Sequence, residues 1–254
     1  MSSFNSRGEL DVSRPILITC LGKKGSGKSV MGKYLFASYP YDRLVIDVAG
    51  DDGPMRADLP GQTVVELHGD CSSLPARWPE HERKDRERIT VRYVPDAGSP
   101  TFIEDMDYVI GLGRSHERTA ILVHEMGVLA SSNRTPPHTR RLLQMSRHAV
   151  PGQGKSGKTS AIFCGPRALT MDPLVIAQSD LVFVFEMPNP DDQKRVADTI
   201  GWPREDFVDG MNRLGEYGYL RYDARQARPE RPEDPDLRLL LCPALPEDIA
   251  RSVA

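Results

Sequence analysis

The stretch GKKGSGKS at residues 22–29 sets the strongest limit on how this chain folds. Its spacing, G-x-x-x-x-G-K-[ST], is that of a phosphate loop, and such a loop works in only one setting. A buried strand must lead into it and a helix must leave it. Successive backbone N–H groups and the helix N-terminus then converge on an anion. Both neighbours are present. PILITCL (15–21) is a short apolar run rich in β-branched residues, hence a strand, and VMGKYLFASY (30–39) reads as a helix with Val30, Tyr34 and Leu35 inward. Gly22, Gly25 and Gly27 allow the tight curl. The expected nucleotide contacts run through Gly22, Lys23, Lys24, Gly25, Ser26, Gly27, Lys28, Ser29 and Val30. Lys28 would reach the β- and γ-phosphates of ATP, and the Ser29 hydroxyl would ligate Mg²⁺.

A second stretch, GQGKSGKT (152–159), has the same spacing in the reverse context. A helix-like segment precedes it and the apolar run SAIFCG follows, so no helix N-terminus is on offer. It reads as a basic loop, either a plain connection or one that touches a polyanion. It sits in a one-sided segment. Between Glu125 and Asp172 there is no acidic residue, yet Arg134, Arg140, Arg141, Arg147, Lys155, Lys158 and Arg167 all fall there. Such a segment seeks phosphate, or is a solvated face balanced by acids elsewhere. The total charge, −3 from 33 basic and 36 acidic residues, does not announce this.

The remaining pattern alternates strands with helices. RLVIDV (43–48), TVVELH (63–68), ITVRYV (89–94), TAILVHE (119–125), SAIFCG (160–165) and LVFVFEM (181–187) read as strands; YGYLRYD (217–223) reads as an edge strand or hairpin arm. FIEDMDYVIGLG (102–113), ending in glycine, HTRRLLQMSRHA (138–149) and PDDQKRVADTI (190–200) read as helices. Strands apolar on both faces imply an α/β fold, a largely parallel sheet flanked by helices on both faces. The expected organisation is a flexible lead-in at 1–14, a core at 15–227, and a proline-rich linker with an apolar tail at 228–254 that docks on the body or on a neighbour. A chain of 254 residues, 39 % apolar, suits one such domain with additions. No apolar run approaches the roughly 20 residues that span a bilayer, and MSSFNSRGEL is not signal-like, so the sequence reads as soluble and cytoplasmic, without a membrane partner. The scattered Cys20, Cys71, Cys164 and Cys242 form no C-x-x-C pair, and Cys20 and Cys164 read as small buried hydrophobes.

TAILVHE ends in a polar pair at the carboxyl end of a buried strand, where ligands lie in open α/β sheets. Glu125 is the candidate to polarise an attacking water; its plainer reading is a surface carboxylate capping the next segment. His124 stands where Asp is usual, and a neutral imidazole replaces a carboxylate near Mg²⁺ poorly.

The ordered set of motifs resembles the HerA–FtsK group of P-loop ATPases, over roughly residues 15–223. GKKGSGKS resembles its Walker A motif, RLVIDVAGD its second-strand motif with Asp47 at the acidic position, and ILVHE its Walker B motif. RRLLQMSRHA and MDPLVIAQSDLVFVFEMPNPDD resemble the block that follows. The resemblance implies a RecA-like core and a homo-oligomeric ring, pentamer or hexamer, around double-stranded DNA. It also implies ATP held between neighbours and an arginine supplied in trans. Arg147 matches that arginine, with Arg140 and Arg141 as substitutes; its plainer reading is an exposed or DNA-contacting side chain. Lys28, Glu125 and Arg147 are thus the expected catalytic set, and Ser29, Asp47 and Glu125 the expected metal set. Arg134, Arg140, Arg141, Lys155 and Lys158 are the expected DNA contacts, on two acid-free loops. SAIFCGPR departs from the group by carrying Cys164-Gly165 where a polar Gln senses the γ-phosphate. The leading expectation is a genome-packaging translocase, in the host cytoplasm if viral, docking on a partner such as a capsid portal. The rivals are a plasmid- or element-transfer ATPase, a nucleotide-binding assembly or regulatory module with little turnover, and a P-loop kinase of small molecules.

Overall fold

The computed structural model describes residues 3, 10–48, 50, 62–84, 87–116, 118–132, 134–146, 159–229 and 236–248. Five of the apolar runs become strands buried at every position: β1 (Leu17–Leu21), β2 (Asp42–Ile46), β5 (Thr119–Val123), β6 (Ser160–Gly165) and β7 (Leu181–Val184). Alternate residues point to opposite faces of a sheet, so burial throughout requires cover on both sides. β3 (Gln62–His68) and β4 (Arg88–Val94) lie at one edge, β8 (Tyr219–Asp223) and β9 (Leu239–Cys242) at the other. The order across the sheet is β3-β4-β2-β5-β6-β1-β7-β8-β9. β1 to β7 are mutually parallel, and β8 and β9 are antiparallel additions. YGYLRYD is therefore an interior strand, because the apolar tail docks back as β9 and covers it.

One face packs α2 (Phe102–Ser115), α4 (Pro137–Met145), α5 (Pro173–Ala177), α6 (Pro190–Ile200) and α7 (Arg204–Asn212) against Leu17, Leu21, Leu44 and Ile46. The other face packs α1 (Lys28–Ala37) against Ile18, Cys20, Val45, Leu122 and Ile162. The inner stripe of α1 is Met31, Gly32, Leu35 and Phe36, not the Val30, Tyr34, Leu35 set expected. Val30 and Tyr34 are only half buried, one helical position round from that stripe. α3 (Met126–Leu129) is a single turn after β5. α2 does not stop at Gly113 but runs through it. A Cβ there would sit 2.7 Å from Leu44 Cδ2, so this glycine lets the helix lie close on the sheet rather than ending it.

Seven parallel strands share a carboxyl edge. That edge holds the residues just after Leu21, Ile46, Val123, Gly165 and Val184. Because β8 runs backwards, its first residue lies there too, and so does the last residue of β9. Among the described residues no helix is long and apolar enough to cross a membrane.

Candidate functional site

The loop between β1 and α1 occupies the middle of this carboxyl edge. Gly22, Gly25 and Gly27 have φ of 154°, 80° and 97°, a region that side chains rarely adopt. Gly22 N–H donates to Gly165 O at 3.3 Å, and Lys23 N–H to Glu186 O at 2.9 Å. These bonds tie the loop to the ends of β6 and β7. Gly27 caps α1 with no side chain, so the first N–H groups of the helix face the loop's hollow without a side-chain acceptor.

Two polar groups test whether a phosphate fits. Ser26 is 5 % exposed and its Oγ has no hydrogen-bond partner among the described residues. Lys28 is 7 % exposed, and a lysine so deeply buried needs an anion close by. A buried ammonium and a helix N-terminus at one hollow fit a phosphate chain, and the buried Ser26 hydroxyl lies beside Gly22 within the same loop. Mg²⁺ keeps several waters and leans on phosphate oxygens, so the Ser29 hydroxyl alone would suffice as a protein ligand.

Glu125 follows β5, which is separated from β1 by β6. Strand spacing puts it about 10 Å across the edge. Its φ of 57° and ψ of 50° are left-handed, one of three non-glycine residues with positive φ among those described. Its backbone carbonyl accepts from Val128 N–H at 2.8 Å. His124 is buried at 8 % exposure and its backbone N–H donates to Ile46 O at 3.2 Å.

Asp47, the third residue of the expected metal set, stands further off. It follows β2, three strands from β1, or roughly 14 Å by strand spacing. Its carboxylate accepts from Arg92 Nη2 at 2.7 Å and Gly50 N–H at 2.9 Å, and Arg92 is held in turn by Glu66 at 2.9 Å. The strand order does not bring Asp47 and Ser29 together. The cluster of three potential metal ligands found among the described residues is Asp42, Glu80 and His116. It lies at the opposite, amino edge, with Arg83 bonded to both carboxylates.

The basic residues do not gather at the loop. Arg134 is exposed and pairs with Glu104 at 2.7 Å, while Arg140 and Arg141 are exposed on α4. Burial first, and then the nearby Arg141 charge, lower the pKa of Arg114 at the amino-edge end of α2. Arg147, Lys155 and Lys158 lie outside the described residues. Of the second phosphate-loop match, Thr159 is described: it is fully buried and leads into β6. A strand follows that stretch, so its setting is not that of a phosphate loop.

Sequence reasoning missed three residues at the edge. Glu186, just past β7, pairs with the Lys23 amine. Arg167, beyond β6, is half exposed and bonds Asp192 at 3.0 Å. Tyr217, before β8, lies against Gly27. Only Arg167 left a trace, as one of the seven basic residues of the acid-free segment between Glu125 and Asp172.

This is an α/β fold with a phosphate-loop geometry after β1, and with a strand between the one that leads into the loop and the one that carries Glu125. The comparisons agree. The genome packaging NTPase B204 from Sulfolobus turreted icosahedral virus 2, in complex with sulfate, superposes with a TM-score of 0.62 at 16 % identity, over 92 % of this chain and 98 % of that one. The same protein with ATP-γS gives 0.60 at 14 % identity, over 92 % and 100 %. VirB4 of Thermoanaerobacter pseudethanolicus gives 0.57 at 11 % identity, over 98 % and 96 %. This chain shares the α/β fold of these structures. No protein-family model matches the sequence, and no curated protein matches it.

Proposed function

We propose that the chain is an ATP-hydrolysing motor that moves double-stranded DNA, of the genome-packaging type, working as a ring. The observation that carries this reading is one edge of the sheet. There a phosphate cradle with an orphaned, buried Ser26 Oγ shares the edge with a carboxylate about 10 Å away, Glu125, held in a strained backbone conformation. In support, B204 is described as a genome packaging NTPase and has been seen with ATP-γS.

In this mechanism the N–H groups at the start of α1 and the Lys28 ammonium hold the β- and γ-phosphates. When bound at Ser29, Mg²⁺ would neutralise phosphate charge. Glu125 orients a water in line with the γ-phosphorus and accepts its proton as the P–O bond to the leaving diphosphate breaks. Asp47 and Arg92 brace the loop after β2 instead of touching the metal. A cation from the next subunit, Arg147 in our assignment, stabilises charge on the transferring group. Arg134, Arg140, Arg141, Lys155 and Lys158 contact DNA phosphates without reading sequence, as a translocating grip requires.

ATP turnover with and without duplex DNA tests this. Wild type should be stimulated by DNA, less so as salt rises. Glu125→Gln should bind ATP but lose turnover by about 10²-fold or more. Mixing Glu125→Gln with Arg147→Ala subunits should restore turnover if the arginine acts in trans. Turnover indifferent to DNA would favour the regulatory reading.

A further inference from the structure

The amino edge of the sheet carries a second polar region, at the far end of the strands from the phosphate loop. It lies at the first residues of β5 and β6. On the α1 face, Arg14, Tyr39, Tyr41, Arg118 and Ser160 line a cavity of about 10 Å³, room for one water-sized atom. Arg118 is exposed and has φ of 73°, a conformation that costs about 1 kcal/mol or more. Its guanidinium is held over the Tyr41 ring, 5.0 Å from the centroid, and Nη1 donates to the Tyr41 hydroxyl at 3.1 Å.

On the α2 face the pattern repeats. Ala120 pairs with Ser160, so Thr119 stands opposite Thr159, on the side of Ile121 and Ala161. A Cβ on Gly113 would lie 3.4 Å from Ile121 Cδ1, so the end of α2 rests close to the start of β5. Arg114 leaves the helix there and is only 8 % exposed. The charge that acts on it is that of Arg141 on α4, a like charge rather than a carboxylate. Beneath these arginines the hydroxyls of Tyr39, Thr119 and Thr159 are buried and have no hydrogen-bond partner among the described residues.

The acids on either side are already taken. Asp42 of β2 is bonded by His116 and Arg83, Asp180 before β7 by Arg225, and Asp11 accepts from Ser13 N–H at 3.0 Å. Between them lies a strip about two strands wide whose side chains offer donors. Donors set beside like charges call for an anionic acceptor with several oxygens. The acid-free segment between Glu125 and Asp172 also rejoins the sheet here, at Thr159.

We infer that this strip is a docking surface for the phosphodiester backbone of duplex DNA, gripped by Arg114 on one face of the sheet and Arg118 on the other. The inference deepens the DNA-moving reading above and rests on it. It places the duplex and the nucleotide at opposite edges. β5 connects them, since Thr119 and Glu125 are about 20 Å apart by strand rise.

Fluorescence anisotropy of a labelled duplex of mixed sequence, titrated with the full chain over a range of salt, tests the surface. Arg114→Gln and Arg118→Gln should each weaken duplex binding by up to about tenfold near 0.1 M salt, and lower the slope of log affinity against log salt by about one. The double variant should lower the slope by about two. Arg114→Lys and Arg118→Lys should keep the wild-type slope, which counts charge. ATP-γS, read by calorimetry, should bind every variant like wild type. Because its neighbour is a like charge, Arg114→Gln should unfold no earlier than wild type. Wild-type affinity and slope in both glutamine variants would overturn the surface. So would polyglutamate that displaces the duplex as well as unlabelled duplex does. A wild-type chain that binds no duplex at any salt would instead remove the DNA-moving reading, and this inference with it.

Discussion

Lys28 and Glu125, to which we assign phosphate binding and water activation, have different environments at the carboxyl edge. Lys28 is buried at the start of a helix, where its charge serves only an anion. Lys28→Ala should weaken ATP-γS and tripolyphosphate alike, by about a hundredfold, as loss of a buried charge-assisted contact does. Calorimetry reads this directly. Glu125 sits in the left-handed region without a glycine's freedom. Glu125→Gly should abolish turnover and raise stability by up to about 1 kcal/mol in chemical denaturation, because the strain disappears. Glu125→Gln should keep wild-type stability. A Glu125→Gly protein that unfolds more easily than wild type would mean that the residue is structural.

At the scale of elements, α4 shows how a basic surface is anchored. Its N-terminus begins at Pro137, and the buried Asp107 of α2 accepts from His138 N–H at 3.0 Å, Thr139 N–H at 2.7 Å and Thr139 Oγ1 at 2.7 Å. An anion there also meets the positive end of the helix dipole. Asp107→Ala should cost about 2–3 kcal/mol, measured by urea unfolding, since it removes a cap and strands buried donors. The strands, α1, α6 and the phosphate loop were legible in the sequence because their signals are local: β-branched apolar runs, glycines at fixed spacing, an acidic first helical turn. α5 was legible only through the resemblance of MDPLVIAQSD to a helix of the block after Walker B, because five residues show no period. α7 was missed because only Phe207 and Met211 face the core. The site was legible where it depends on one loop. It was illegible where it depends on strand order, which carries Asp47 away from Ser29 and brings Tyr217 beside Gly27.

Across the whole molecule the two edges of the sheet differ in kind. The carboxyl edge is built for a ligand, and the amino edge is closed at β2 by internal charge pairing. There Asp42 bonds His116 at 2.7 Å and Arg83 at 2.6 Å, with Trp78 stacked on the His116 ring at 4.8 Å. Burial pushes the Asp42 carboxyl up, but the bonds from His116, Arg83 and Ile89 N–H outweigh it and hold the pKa at about 2, below its ordinary 3.8. A depressed folded-state pKa stabilises the fold above the unfolded value and is lost as pH falls toward the folded one. About 2 kcal/mol should therefore disappear between roughly pH 4 and pH 2, and Asp42→Asn should flatten that limb of the stability curve. At the other edge, in the function we propose, ATP hydrolysis drives movement along a duplex. Displacement of a third strand from a triplex placed on linear DNA measures this most directly. Release should require ATP, and none should occur with ATP-γS or with Lys28→Ala. ATP turnover at full rate without any release would contradict it.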